Sequence, residues 1–207
     1  MSEGISQWHS VTPAKLMLAA LTIVIGMQIE LAFTKSINWD EFFHFSQVHR
    51  HLQGRPTQWL QLPFVWLFSW VPSLSGDIIS HIQLIRALLL PFELVTIGAI
   101  IASSRHLAGR EEALLCALLY VTGGYVFLHA FALRADMIAA ALLTTALWIG
   151  ICRPLRALEI ASAAALLLLA FLATIKTVLY APAFFGVAWF RLQKRSHRVA
   201  LAVAGVL

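Results

Sequence analysis

Residues 134–177 read RADMIAAALLTTALWIGICRPLRALEIASAAALLLLAFLATIKT. Two apolar runs, 137–151 and 157–173, are joined by a basic turn at 153–156 and flanked by isolated charges at Arg134, Asp136 and Lys176. The runs are continuous and rich in Leu and Ala. They do not alternate, so they read as helices and not as the strands of an outer-membrane barrel. Runs of this length with charges gathered at their ends suit helices that cross a bilayer and satisfy their own backbone.

Outward from this hairpin the pattern repeats. Further apolar runs cover about 14–33, 82–103, 113–133 and 178–190, and another starts at 199. Across all 207 residues, 60% are hydrophobic and only 12% charged, with a mean hydropathy of +0.81. An average soluble domain carries roughly a quarter charged residues. This composition excludes a soluble globular domain, a disordered chain and a disulfide scaffold. The expected fold is all-α, a polytopic transmembrane helical bundle in a single domain over 1–207. The net charge of +5 reflects basic loops, not a nucleic-acid partner. Cys116 and Cys152 both lie in apolar runs and read as small buried hydrophobes. The first run lacks a small-residue cleavage pattern, so it reads as a retained anchor. Because the chain stops inside a seventh apolar run, the expectation is a piece of a longer polypeptide.

The segment 59–71, with Trp59, Trp66 and Trp70, is too short to span: 13 residues of helix cover only ~20 Å against a ~30 Å core. It reads as an interfacial or re-entrant helix in an outer loop at 35–81. With that segment off the span list, the turns at 105–110, 153–156 and 191–198 fall on the same side as Lys15, as the positive-inside bias prefers. The Asn38–Pro56 stretch, the Arg134–Asp136 turn and Lys176 then converge on the opposite, outer face.

Three groups there carry chemistry. In Asp40-Glu41-Phe42-Phe43-His44, helical spacing sets Asp40 and His44 at i,i+4 and Glu41 and His44 at i,i+3. Such a set suits a general base, a divalent-cation site, or both. Alternatively, Asn38 and Glu41 form a capping box at a helix start. Arg134 and Asp136 are either functional charges or a helix-end ion pair with Asp136 as the cap. Lys176 is either aimed at an anionic group or snorkelling to the interface. Arg86 and Glu93, seven apart, suggest a structural pair. His129 reads as a packing histidine, and Gly123-Gly124 as a point of close helix approach. No Walker A, nucleophile elbow or HExxH motif is present.

The order of these motifs resembles a known family. Asn38-Trp39-Asp40-Glu41-Phe42-Phe43-His44-Phe45 opens the outer loop, followed by Gly54-Arg55-Pro56 and the aromatic segment. Leu84-Ile85-Arg86 opens the second span, Leu133-Arg134-Ala135-Asp136-Met137 follows the third, and Ile175-Lys176-Thr177 breaks a later hairpin. This is similar to the N-terminal half of GT-C-type integral membrane glycosyltransferases, the group of protein O-mannosyltransferases and aminoarabinose lipid A transferases. The resemblance covers about 14–192. It departs where many relatives carry His-Pro-Pro-Leu and this chain has Gln61-Leu62-Pro63-Phe64.

The resemblance implies transfer of a sugar from a polyprenyl-phosphate carrier to a glycan, lipid or protein acceptor at the outer face of a bacterial cytoplasmic membrane. It implies Asp40 and Glu41 as the catalytic carboxylates, with a divalent cation (Mg or Mn) as the cofactor they would hold. It further implies Arg134, Asp136, Lys176 and His44 as substrate-binding residues. A rival expectation is an ion- or proton-coupled transporter or channel using the same charges.

Overall fold

The structure, a computed structural model, describes residues 12–192. The run expected from 199 and the basic residues at 194–198 lie outside the described residues. Those described are helical almost throughout and contain no strand. Three helices are long and apolar enough to cross a membrane: α1 (Pro13–Thr34), α4 (Ile78–Leu107) and α7 (Ala135–Cys152). The chain therefore has the build of a membrane protein.

Local signals set the helix boundaries. α1 starts on Pro13, whose missing N–H costs nothing in a first turn. After it, α2 (Trp39–Leu52) starts at the expected capping box: the Asn38 side chain accepts from Glu41 N, and Glu41 Oε2 accepts from Asn38 N, both at 3.1 Å. It stops at Gly54, whose φ of +65° is the left-handed turn that glycine tolerates best. α3 (Leu62–Phe68) lies between two 3-10 turns, Trp59–Gln61 and Val71–Ser73. Seven residues give it ~10 Å, far short of a span. α4 starts where Asp77 accepts from Ser80 N at 2.8 Å. α7 ends before Arg153-Pro154, because the residue preceding proline is forced out of the helical region. α8 (Ala157–Ala173) matches the expected fifth run residue for residue.

Two runs differ from the expectation. The third, 113–133, is not one span but α5 (Arg110–Thr122) and α6 (Gly124–His129), separated at Gly123. The Gly123-Gly124 pair ends a helix where the sequence suggested close packing, since two consecutive glycines are the weakest helix formers short of proline. The sixth, 178–190, opens with a 3-10 turn at Ile175–Tyr180 and becomes α9 only over Ala181–Leu192.

In the bundle, α4 packs between α5 and α7, α1 lies on α5, and α8 lies on α7. Ala14 clusters with Leu114 and Ala117, and Cys152 Sγ reaches Ala102 O at 3.7 Å. The start of α1, the α4–α5 turn and the α7–α8 turn thus share one end, which holds Lys15, Arg105, Arg110, Arg153 and Arg156. At the other end Phe64, Val65 and Phe68 of α3 are fully buried against Ile82, Ile85 and Leu89 of α4 and Leu133. Three aromatic or branched side chains at ~1.5–3 kcal/mol each seat α3 as a lid on that end of the bundle.

Candidate functional site

The lid end is where the charged residues meet. Glu41 follows Asp40 directly, so on a helix the two carboxylates point about 100° apart. Glu41 turns inward and is fully buried. Its Oε1 accepts from Arg86 Nε at 2.8 Å and Leu133 N at 3.0 Å, and its Oε2 accepts from Arg86 Nη2 at 2.6 Å and Asn38 N at 3.1 Å. Arg86 donates onward to the carbonyls of Ala32, Lys35 and Ser36. Burial pushes the Glu41 carboxyl up. The donors from Arg86, Leu133 and Asn38 outweigh it and hold the group below the ordinary glutamate range. Arg86 therefore pairs with Glu41 and not, as its spacing suggested, with Glu93.

Asp40 turns outward and pairs with Arg134. Arg134 also donates to the Tyr125 hydroxyl. Asp136 does not pair with its neighbour Arg134 and makes no cap for α7; it accepts from Lys176 Nζ at 2.8 Å. Two ion pairs, Asp40–Arg134 and Asp136–Lys176, thus bring together α2, the start of α7 and the 3-10 turn before α9. His44 lies one helical turn along α2 from Asp40. Its Nδ1–H donates to Gln61 Oε1 at 3.3 Å, and its ring meets Phe43 and Phe64 edge-on. Burial lowers the His44 pKa, Gln61 works against that, and the charges of Arg134, Asp136 and Asp40 all reach the ring.

No protein-family model, curated protein or solved structure matches the chain. The site is therefore read from its own chemistry.

Two adjoining clefts open beside the ion pairs. One, of about 220 Å³, is lined by Asp136, Lys176, Thr174, Thr177, Tyr125 and Tyr180 among others. The second, of about 180 Å³, runs from Arg134, Asp136 and His129 down to Tyr120. Both share Tyr125, Asp136, Ala140 and Tyr180. Each is smaller than the roughly 300–1,000 Å³ of an ordinary ligand pocket. A third cleft, of about 360 Å³, lies between α8 and α9 and is lined by Leu167, Phe171, Val178, Phe184 and Phe185; it shares Thr177 with the first.

The sequence brought forward Asp40, Glu41, His44, Arg134, Asp136 and Lys176. Asp40, Arg134, Asp136 and Lys176 stand at these clefts or on their ion pairs, whereas Glu41 is turned into the core and His44 packs against Phe43, Phe64 and Gln61. Tyr125 and Gln61 were missed as site residues. Tyr125 falls inside an apolar run, where only the adjacent glycine pair signals that the helix stops. The carboxylate pair Asp40–Glu41 does not fit a divalent cation: Glu41 faces away with both oxygens engaged. Among the described residues no group of three or more His, Cys, Asp or Glu side chains is gathered as metal donors. What the arrangement offers instead is fixed positive charge beside carboxylates at the mouth of an apolar cleft.

Proposed function

We propose that the chain serves as a GT-C-type glycosyltransferase, moving a sugar from a polyprenyl-phosphate carrier to an acceptor hydroxyl at the outer face of the membrane. The observation that carries this reading is the meeting of Asp40–Arg134 and Asp136–Lys176 at a polar cleft that adjoins an apolar one. An amphiphile with a phosphate between an apolar tail and a polar sugar needs that sequence of surfaces. Placing the lid end outside also leaves the basic turns on the cytoplasmic side.

In this reading the carrier phosphate sits against Lys176 and Arg134, its lipid chain running toward the α8–α9 cleft. Arg134 exchanges Asp40 for the phosphate, which frees the carboxylate beside the acceptor. Asp40 takes the hydroxyl proton as the acceptor oxygen bonds to the anomeric carbon. The bond from that carbon to the phosphate oxygen breaks, and polyprenyl phosphate leaves with the electron pair, its charge met by Arg134 and Lys176. Glu41 takes no part; it holds the base-bearing helix in place.

The test is a transfer assay on the full-length protein with a polyprenyl-phosphate sugar, run beside a direct carrier-binding measurement. Asp40→Asn should lower turnover ~100-fold or more with little change in carrier binding. Lys176→Ala should weaken both. Near-normal transfer by Asp40→Asn would remove the base assignment. The second reading, ion- or proton-coupled transport, gains from Glu93, an ionisable residue buried midway along α4. Solute or ion flux in vesicles without any sugar transfer would put it first.

A further inference from the structure

Below the clefts lies a polar cluster that the transfer chemistry does not use. Glu93 stands at the middle of the 30-residue α4 and is 3% exposed; Gln28 of α1 is 2% exposed and Thr96 of α4 fully buried. The Tyr120 hydroxyl of α5 donates to Glu93 Oε2 at 3.3 Å. Gln28 Nε2 donates to Val126 O at 3.3 Å, and its amide lies against the Glu93 carboxyl. Two oxygens in this cluster, Glu93 Oε1 and Gln28 Oε1, are buried with no partner. Both are acceptors, so the cluster is short of a donor hydrogen.

Charge points the same way. The ion pairs among the described residues are Glu41–Arg86, Asp40–Arg134 and Asp136–Lys176, and none involves Glu93. The titratable groups facing it are Tyr120 of α5 and, beyond that ring, Tyr180 before α9; α1 contributes Gln28, which carries no charge. The nearest face of α7 carries no charged residue, because Asp136 lies at the cleft end of that helix. A carboxylate in this setting would be an uncompensated charge at membrane depth, which costs several kcal/mol in most settings. One hydrogen on the carboxyl removes the charge and supplies the cluster with the donor it lacks.

We propose that Gln28, Glu93 and Tyr120 form an intramembrane proton-binding site, with Glu93 carrying the proton and the Arg134–Tyr120 cleft as its access from the lid end. Tyr120 is the floor of that cleft, and the hydroxyl that reaches Glu93 is on the same ring. A proton therefore has one relay group between the cleft and the carboxyl. The site ties α1, α4 and α5 together one level below the proposed transfer site. It stands on its own observations, whether or not the chain transfers sugar.

The test is infrared spectroscopy of the purified full chain in lipid nanodiscs near neutral pH. Wild type should show the carbonyl stretch of a protonated carboxylic acid, shifted downward in deuterium oxide. Glu93→Gln should lose that band and Asp40→Asn should keep it. Tyr120→Phe should move it, because a hydrogen bond to the same carboxyl is removed. If Glu93→Gln does not fold, Tyr120→Phe decides alone, since a band that belongs to Glu93 must move when its hydrogen bond from Tyr120 is removed. Absence of the acid band in wild type overturns the proposal. So does a carboxylate band lost in Glu93→Gln, or one that moves when sodium or potassium is exchanged, which would mark a metal-cation site instead.

Discussion

Replacing Glu41 by Gln tests which of two adjacent carboxylates is structural. The change keeps the shape of the side chain and removes its charge. Arg86, 1% exposed, is left as a buried cation, and the new amide nitrogen presents hydrogens where either Arg86 Nε or Nη2 already presents its own. Three carbonyls, of Ala32, Lys35 and Ser36, still accept from the guanidinium, so the loss is less than that of an unsolvated charge. Breaking one side of a buried pair costs about 3–5 kcal/mol. By contrast Asp136→Asn, which opens the exposed pair with Lys176, should cost about 0–1 kcal/mol. Denaturant-induced unfolding in detergent, followed by helical circular dichroism, measures both. The acid dependence has a definite sign. The Glu41 carboxyl is held below its unfolded value of 4.5, so its contribution is complete above that pH and fades as pH falls through the folded value. In Glu41→Gln that acid loss should be smaller. A Glu41→Gln variant with wild-type stability and no transfer activity would refute the assignment and move Glu41 into the chemistry.

Cysteines introduced at Arg55 and Ser75 in a background lacking Cys116 and Cys152 should react with an impermeant maleimide from outside the cell, and those at Ala108 and Leu155 should not; the reverse pattern would invert the bundle. His44, with its pKa lowered by burial, should remain neutral as the pH falls below the ordinary histidine value of 6.5, where the unfolded chain begins to take up protons. Stability should therefore drop as pH falls below that value and level off once the folded ring protonates, and His44→Gln should flatten that part of the curve in a thermal melt. Gly54→Ala, placed at a φ of +65° with open space around it, should cost ~1 kcal/mol through backbone strain alone, read as a shift in the unfolding midpoint.

Much of the fold was legible because a bilayer imposes a simple rule on composition. The runs at 14–33, 82–103, 137–151 and 157–173 are continuously apolar, and each became a helix within a few residues of those bounds, three of them long enough to cross a membrane. The run at 113–133 is equally apolar, and hydropathy cannot report that Gly123-Gly124 divides it. The site was legible as a list and not as a set of partners. Asp40 and Arg134 lie 94 residues apart and Asp136 and Lys176 lie 40 apart. Proximity in the sequence suggested Arg134 with Asp136 and Arg86 with Glu93, yet Arg134, Asp136 and Arg86 each found an ion-pair partner on another element and Glu93 found none among the described residues. Glu41 shows the limit most clearly. Its capping-box hydrogen bonds were read from Asn38-x-x-Glu41, but only the packing of α4 and Leu133 supplies the donors that make it part of the core.

The break at Gly123 bears on how the protein enters the membrane. α5 has 13 residues, or ~20 Å of helix, and does not cross a ~30 Å hydrocarbon core unaided. α1, α4 and α7 are long enough to partition from the insertion machinery as independent segments. α5 follows α4 directly in the chain and lies against both α4 and α1 in the bundle. α5 is therefore expected to enter the membrane as half of a hairpin with α4, the longer helix it packs against.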